Sequence, residues 1–198
     1  MAPEKGEGAG RGAGGVTPVL ESARLRLRPV DVDDAEALFE AYSDVALMRY
    51  WSSAPHASVE ETRAYLAGRD AARPWRGWAI TRKGSDRAIG TVFTGEIRAG
   101  AAEIGYLLAR AHWGSGIARE AVTRVLDLLL VTEDWRRIEA DTDPDNAASN
   151  ALLGKLGFTQ EGRLRAAWET HIGVRDSFIW GLLRDEWRSV ERAVAASK

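Results

Sequence analysis

Apolar residues recur along this chain with two periods, one typical of strands and one typical of helices. Residues 24–28 alternate strictly between polar and apolar positions, which predicts a half-buried strand that ends before a proline. Asp31 can then cap a helix. The apolar positions of that helix fall on one face: Val32, Ala35, Leu38, Phe39 and Tyr42. Ser58 and Glu61 form a capping-box signature that predicts a second helix over residues 58–70.

The same two periods continue through the rest of the chain. Residues 77–82 and 88–97 predict two strands around a polar turn, and residues 101–109 predict a third, strongly apolar strand. The later elements are predicted, in order, as a helix beginning at Ile117, a strand over 137–142, a helix over 146–156 that ends at Gly157, strands over 158–167 and 176–183, and a short polar helix over 186–196. The order β-α-α-β-β-β-α-β-α-β-β predicts an α/β domain with a mixed sheet.

Composition narrows the classes of function. A chain of 198 residues, 45% hydrophobic and 28% charged, is long enough to bury the core of one domain. Its formal net charge of −2 argues against a general nucleic-acid or anionic-membrane binder. Because the chain has no cysteine, and its three histidines lack ligand spacing, we expect neither a thiolate nucleophile nor a metal site.

The first residues differ in character from the rest. Residues 1–16 are rich in glycine and charge, which predicts a disordered Gly-rich tail, and residues 17–198 are expected to form the single domain. The tail lacks the apolar region of a signal peptide, and no window of about eighteen apolar residues predicts a transmembrane helix. We therefore expect a cytoplasmic protein that does not bind membranes.

Residues 111–121, AHWGSGIAREA, place two glycines between a predicted strand and a predicted helix. Glycines there can serve a simple turn, or they can bare backbone N–H groups that hold an anion. A nucleotide-binding P-loop would need Lys-Ser or Lys-Thr after the glycines, and neither is present. A dinucleotide-binding loop would need a third small residue where Arg119 stands. For the loop taken alone, a simple glycine turn that binds no anion remains an alternative.

With its flanking segments, the loop resembles the phosphate-binding loop of the GNAT superfamily of acyl-CoA-dependent N-acetyltransferases. That loop has the pattern Gln/Arg-x-x-Gly-x-Gly/Ala, matched here by Gly114, Ser115 and Gly116. The segment AEIGYLL (102–108) resembles the strand that precedes this loop. Other segments resemble the RimJ/RimL branch, which acetylates protein N-terminal amines and some other amines: LRLRPV (25–30), RYWSS (49–53), NAASNALLGKLGF (146–158) and RDSFIWGLL (175–183). The resemblance covers roughly residues 20–188.

Two positions depart from the family pattern. The Gln/Arg position of the loop is Ala111, with Arg110 one residue early, so a side-chain contact from position 111 is absent. Many members carry a tyrosine four residues before the glycine of K-x-G-F, and Leu153 stands there. The resemblance therefore leaves the proton donor of the reaction open.

The resemblance implies a GNAT fold, with a mixed central sheet of about seven strands, splayed strands four and five, and four flanking helices. Acetyl-CoA would be the co-substrate, without a metal; its pyrophosphate would lie on the glycine loop and its pantetheine between the splayed strands. The implied contact residues are Tyr106, Leu107, Leu108, Trp113, Gly114, Ser115, Gly116, Ile117, Ala118 and Asn146. Trp113 is favoured to pack against the sheet, and Asn146 has a helix cap as its alternative role.

The resemblance also implies catalytic and acceptor-side residues. Glu103 is the implied base, acting through water, with a surface-facing strand carboxylate as the alternative. Ser149 is the implied donor to the departing thiolate, with a helix-start hydrogen bond as the alternative. The acceptor side would contain Tyr50, Trp51, Trp168 and Asp176. Asp176 could attract a cationic amine or form a strand-end salt bridge.

The function implied is transfer of acetyl from acetyl-CoA to a primary amine by direct attack. A protein or peptide N-terminal amine is the first expectation, because an α-amino group with a pKa of about 7.7–8.0 is substantially neutral near neutral pH. The alternatives are a small-molecule amine, such as a polyamine or an aminoglycoside, and a non-catalytic acyl-CoA-binding module. The expected partner is the amine acceptor, with a homodimer left open and no nucleic acid.

Overall fold

The computed structural model describes residues 16–68 and 75–187, and one mixed sheet of eight strands runs through them. The strands are β1 (Leu20–Glu21), β2 (Leu25–Pro29), β3 (Trp75–Arg82), β4 (Gly90–Arg98), β5 (Ala101–Leu108), β6 (Arg137–Thr142), β7 (Thr159–Thr170) and β8 (Gly173–Leu183). Their order across the sheet is β1-β2-β3-β4-β5-β6-β8-β7. Neighbouring strands are antiparallel, except that β5 and β6 are parallel. The predicted α/β architecture is confirmed, and β1 is an addition to it.

The helices of the described residues connect these strands. They are α1 (Ala35–Tyr42), α2 (Val45–Met48), α3 (Val59–Gly68), α4 (Ile117–Leu126) and α5 (Ala147–Lys155), with 3-10 turns at Val32–Asp34 and Arg110–His112 and a π-helical segment, Asp127–Thr132, that continues α4. Within the described ranges, no helix combines the length and the apolar character that crossing a membrane requires.

Helix starts differ from the sequence prediction for a local reason. Asp31 is a cap, as predicted, but it forms a capping box with Asp34 around a 3-10 turn, so the α-helix begins only at Ala35. The one-turn helix α2 was not predicted. Its cap is Asp44, whose carboxylate accepts hydrogen bonds from the N–H groups of Ala46 and Leu47.

The last part of the chain also differs from the prediction. β7 and β8 form a hairpin longer than the two predicted strands. The prediction was too short because most residues of the hairpin are exposed and lack a regular apolar alternation. The predicted helix over 186–196 lies almost wholly outside the described residues, and so does the predicted tail over 1–16 apart from Val16.

The two faces of the sheet bury separate clusters. Helices α4 and α5 cover one face, together with core residues that include Leu25, Ile80, Ile104, Ile117 and Leu153. Helices α1 to α3 cover the other face, together with core residues that include Tyr42, Met48, Ala79, Phe93 and Leu107. Since successive strand residues point to opposite faces, Glu103 lies on the α1–α3 face of β5 and Tyr106 on the α4–α5 face.

Candidate active site

β5 and β6 separate soon after they meet. Their parallel pairing covers only three residue pairs, the last of which is Glu103 with Glu139. Beyond this pair, β5 stays paired with β4 and β6 stays paired with β8. The facing backbone edges of residues 104–108 and 140–142 therefore have no strand partner, and their polar groups need other partners. We call the space between these two segments the β5–β6 gap, and it corresponds to the splay that the family resemblance implies.

Two arginines neutralise the β6 carboxylate at the base of the gap. Arg137 Nε donates to Glu139 Oε1 at 2.6 Å, and Arg98 also binds the Glu139 carboxylate. Burial alone would raise the pKa of Glu139, but the hydrogen bonds from Arg98 and Arg137 outweigh it and lower the pKa. Glu139 is therefore held ionised and paired, while Glu103 beside it on β5 is half-buried.

The glycine loop has the backbone that an anion cradle requires. Gly114 and Gly116 have φ angles of 70° and 76°, the left-handed region that favours glycine, and Gly116 is the cap residue of α4. A Cβ at Gly114 would find open space, so the need for glycine there is conformational. Ser115 lies between the two glycines. The Ile117 side chain is buried and Ala118 packs partly against the same cluster, so these residues offer the loop their backbone groups.

Glu120 ties the loop to the beginning of the domain. Ser22 Oγ donates to Glu120 Oε1 at 2.6 Å, and Arg24 Nε donates to Glu120 Oε2 at 2.6 Å. Arg24 Nη1 also donates to the Ser115 carbonyl at 2.9 Å, inside the loop itself. Burial alone would raise the pKa of Glu120, but the hydrogen bonds from Ser22 and Arg24 outweigh it and lower the pKa.

The sequence analysis missed Ser22 and Arg24. The only signal was an arginine at the exposed edge of a predicted strand and a glutamate one turn into a predicted helix. Nothing in a single sequence joins two residues that lie 96 positions apart. Glu120 therefore fixes the loop to the segment before β2 through Ser22 and Arg24.

Two neighbours of the loop lie elsewhere than the sequence suggests. Trp113 does not pack against the sheet as favoured: its side chain is 49% exposed, and its indole N–H donates to the Leu108 carbonyl at 2.7 Å. Arg110 Nη1 lies 3.4 Å from the carboxylate of Asp44, the cap of α2. Arg110 therefore points towards α2 and does not take the place of the Gln/Arg side chain that position 111 lacks. The side chains of Leu107 and Leu108 are buried, which leaves their backbone as the part that can meet a ligand.

The start of α5 lies against Tyr106 of β5. Asn146 caps the helix, because its Oδ1 accepts a hydrogen bond from the Ser149 N–H at 3.2 Å. The Tyr106 hydroxyl donates a long hydrogen bond, 3.4 Å, to the Ser149 carbonyl. Burial raises the pKa of Tyr106 to about 12, and a hydrogen bond with Ser149 opposes part of the rise. Leu153, which stands where the family often has tyrosine, is fully buried in the core.

Trp168 and Asp141 meet beside the gap. The Trp168 indole N–H donates to Asp141 Oδ2 at 2.9 Å, which brings the β7–β8 hairpin against the end of β6. Ser177 also donates to the Asp141 carboxylate. Asp141 lies two residues after Glu139, so both belong to the α1–α3 face of the sheet, as Glu103 does. Trp168 is thus placed on the same side as the candidate base.

The other acceptor-side candidates lie in different surroundings. Trp51 packs on the α1–α3 cluster and its indole N–H donates to the Tyr65 hydroxyl at 3.1 Å, while the Arg49 guanidinium lies 5.9 Å from the Tyr50 ring centroid. The Asp176 carboxylate accepts hydrogen bonds from the Ala166 N–H and from Arg163, which lower its pKa. For Asp176 the structure shows the salt bridge that the sequence left as the alternative. The described residues hold no cluster of His, Asp or Glu suited to a metal ion.

The family model described as acetyltransferase (GNAT) domain matches residues 24–159. The chain belongs to the GNAT acetyltransferase family.

Several GNAT relatives match over most of their length. The chain is 34% identical over 173 residues to an uncharacterised N-acetyltransferase, p20, of Bacillus licheniformis, which covers 85% of this chain and 97% of that protein. A solved probable acetyltransferase (GNAT family) from Chromobacterium violaceum is 28% identical, with a TM-score of 0.81 over 95% of this chain and 98% of the other. RimL, a ribosomal L7/L12 alpha-N-protein acetyltransferase solved in complex with coenzyme A, is 25% identical, with a TM-score of 0.73 over 85% and 99% of the two chains.

This GNAT protein is therefore an N-acetyltransferase that uses acetyl-CoA as its co-substrate. The residues present fit that co-substrate. Two left-handed glycines at a helix start can turn N–H groups towards a pyrophosphate, and the unpaired edge of β5 can bind the amides of pantetheine. When bound, acetyl-CoA supplies the thioester that the amine attacks.

Substitution of Gly116 tests the cradle. Gly116→Val places a β-branched residue at a φ of 76°, which costs on the order of 1–3 kcal/mol or forces the loop to rearrange. We expect the rise in melting temperature on adding acetyl-CoA to be lost. Gly84→Val is the matched control, because Gly84 has a φ of 84° in open space in the turn between β3 and β4. An undiminished acetyl-CoA response in Gly116→Val would contradict the cradle.

Substitution of Glu120 tests the tie between loop and strand. Because the pKa of Glu120 is lowered in the folded protein, its ionised form stabilises the fold above the usual value of 4.5, and this stability is lost as pH falls through the lower folded-state pKa. Glu120→Gln should lower the free energy of unfolding in urea by about 1–2 kcal/mol at neutral pH, with the difference shrinking below about pH 4.5. The exposed Glu60→Gln is the control, with a change within about 0.5 kcal/mol. A pH-independent difference would argue against the ionic tie.

Proposed function

We propose that this enzyme is a cytoplasmic acetyltransferase of RimJ/RimL type, which acetylates the N-terminal amine of a protein or peptide by direct attack. The observation that carries the proposal is the position of Glu103. This carboxylate belongs to the last pair before the β5–β6 gap, on the face of the sheet opposite to α5. An amine that approaches from the α1–α3 face would reach the thioester beside it.

Glu103 suits an N-terminal amine, which needs only a weak base to remove its proton. An α-amino group with a pKa of about 7.7–8.0 is partly neutral near neutral pH, whereas a lysine amine with a pKa of about 10.4 is almost wholly protonated. A single half-buried carboxylate, acting through water, is enough to take the proton that the amine loses.

The charges around the gap favour an acceptor with a single ammonium group over an acceptor with several. Carboxylates near the end of β6 and in the hairpin are paired with arginines: Asp143 and Asp145 with Arg175, Asp176 with Arg163, and Glu161 with Arg137. A polyamine would therefore meet acidic groups that are already neutralised. Asp141 differs, since its carboxylate accepts hydrogen bonds from the uncharged groups of Trp168 and Ser177. One such carboxylate suits the single charge of an N-terminal amine.

The remaining proposed contacts follow from the geometry. The backbone of residues 114–118 would hold the pyrophosphate, and the free edge of residues 106–108 would bind pantetheine, with Asn146 ordering the start of α5 and Trp113 at the loop rim. Tyr50, Trp51 and Trp168 would line the acceptor side. The similarity to RimL, whose substrate is a protein N-terminus, supports the choice of acceptor.

An acceptor panel tests the proposed function. CoA release from acetyl-CoA is measured with short peptides that have free N-termini, with the same peptides N-acetylated, with spermidine and with an aminoglycoside. We expect turnover with the free peptides, and none with the blocked ones even where they contain lysine. Turnover confined to spermidine or to the aminoglycoside would overturn the choice of acceptor, and binding of acetyl-CoA without turnover on any amine would overturn the catalytic assignment.

The role of Glu103 has its own test. Glu103→Gln should lower kcat by about 100-fold, with the KM for acetyl-CoA nearly unchanged, because the base acts on the amine and does not bind the co-substrate. Glu96→Gln is the matched control: Glu96 is a half-exposed carboxylate on the neighbouring β4, opposite Ala102 and hence on the other face of the sheet. Wild-type kcat in Glu103→Gln would remove Glu103 from the mechanism.

A further inference from the structure

The Tyr106 side chain reaches a position that neither the glycine loop nor the candidate base explains. Tyr106 lies three residues beyond Glu103 on β5, past the point where β6 separates, and it packs beside the α4–α5 cluster. Its hydroxyl lies 3.4 Å from the backbone carbonyl of Ser149 on α5. The Tyr106 hydroxyl therefore meets the start of α5 beside the β5–β6 gap.

We propose that the Tyr106 hydroxyl donates a hydrogen bond to the coenzyme A sulfur as the thiolate departs, and that it keeps its own proton throughout. This inference rests on the use of acetyl-CoA and does not depend on which amine is the acceptor.

The placement of Tyr106 opposite Glu103 fits the two halves of the reaction. Glu103 lies on the α1–α3 face of β5 and Tyr106 on the α4–α5 face, so proton removal from the amine and charge stabilisation at sulfur occur on opposite sides of one strand. The amine nitrogen bonds to the carbonyl carbon, and the C–S bond breaks with its electron pair going to sulfur. The proton that the nitrogen loses passes to Glu103 through water, and the free thiolate later takes a proton from solvent.

The acidity of Tyr106 decides between hydrogen-bond donor and proton donor. Burial raises its pKa to about 12, partly opposed by the Ser149 hydrogen bond, whereas an ordinary thiol has a pKa of about 8.5. Full proton transfer from this phenol to a thiolate would run uphill by several pH units. A neutral O–H aimed at a developing negative charge in a buried site is nonetheless strongly stabilising, and it needs no titration.

The packing of the core explains why a residue of β5 donates the hydrogen bond to the sulfur. Leu153 of α5 is fully buried, so its side chain packs between helix and sheet and offers no polar group to the gap. Ser149, one turn earlier on α5, contacts the Tyr106 hydroxyl through its backbone carbonyl. Among these three positions only Tyr106 combines a donor group with a place on a strand that borders the gap.

The ionisation of bound coenzyme A tests the proposal without any acceptor. The thiolate absorbance of the enzyme–coenzyme A complex is titrated against pH in the wild type and in Tyr106→Phe, which keeps the ring and removes only the hydroxyl. We expect the bound thiol to titrate about one pH unit higher in Tyr106→Phe, since a hydrogen bond to a charged group is lost. An unchanged titration, with coenzyme A affinity retained, would overturn the proposal.

Two further measurements keep the test decisive. With an active acceptor, Tyr106→Phe should lower kcat by about 10–100-fold, by the same factor at every pH between about 6.5 and 9.5, because Tyr106 does not titrate there. A factor that changes across this range would indicate a proton donor and contradict the proposal. Ser149→Ala keeps the Tyr106 hydroxyl and should raise the bound thiol pKa by clearly less than one pH unit; a rise of one unit or more would assign the donor to Ser149 and contradict the proposal. If no amine acceptor were turned over, the thiol titration would still test the proposal, because it needs only the enzyme and coenzyme A.

Discussion

The separation of β5 from β6 after Glu103 is the constraint on which the rest of the site depends. Unpaired backbone groups in a sheet are costly unless they find partners, so a strand pair that opens must be held open. The end of β6 is fixed on its other side: Thr142 accepts from the Trp180 indole and bonds to Asn150 of α5, and Arg175 of β8 binds Asp143 beyond the strand. These contacts direct β6 towards β8 and α5, which leaves one edge of β5 available to a ligand that carries amide groups of its own.

A second constraint sets the position of the phosphate end of the site. The loop before α4 consists largely of residues with no side-chain bulk, and left-handed glycines define it only loosely. Arg24 supplies what the loop lacks, because one guanidinium binds both the Ser115 carbonyl and the Glu120 carboxylate. Arg24 thereby binds both the loop and α4 to the start of β2. The geometry of the loop is therefore a property of the folded domain more than of its own sequence.

This division explains how far the sequence alone could lead. Period-two alternation predicted β2, and the apolar run 101–109 predicted β5, because both are buried on at least one face. The same rule underestimated the β7–β8 hairpin, whose strand β7 is mostly exposed, and it missed α2, which depends on the single cap Asp44. The glycine loop was recognisable from its motif together with the flanking segments AEIGYLL and NAASNALLGKLGF. The Arg24–Glu120 pair and the contact of Tyr106 with α5 were not, because each joins segments that only tertiary packing brings together.

The two departures from the family motif acquire a physical meaning in this context. Ala111 offers the loop no side chain, yet Arg24 holds the loop from another strand; Leu153 offers the gap no hydroxyl, yet Tyr106 brings one from β5. In both cases the chemistry needs a group at a point in space, and a motif records only one of the chain positions from which that point can be reached. An absent motif residue is thus weak evidence for lost activity when a side chain of suitable chemistry lies at the same place. The stronger evidence is the gap itself, since a domain that no longer bound its co-substrate would gain stability by closing the unpaired edges of β5 and β6.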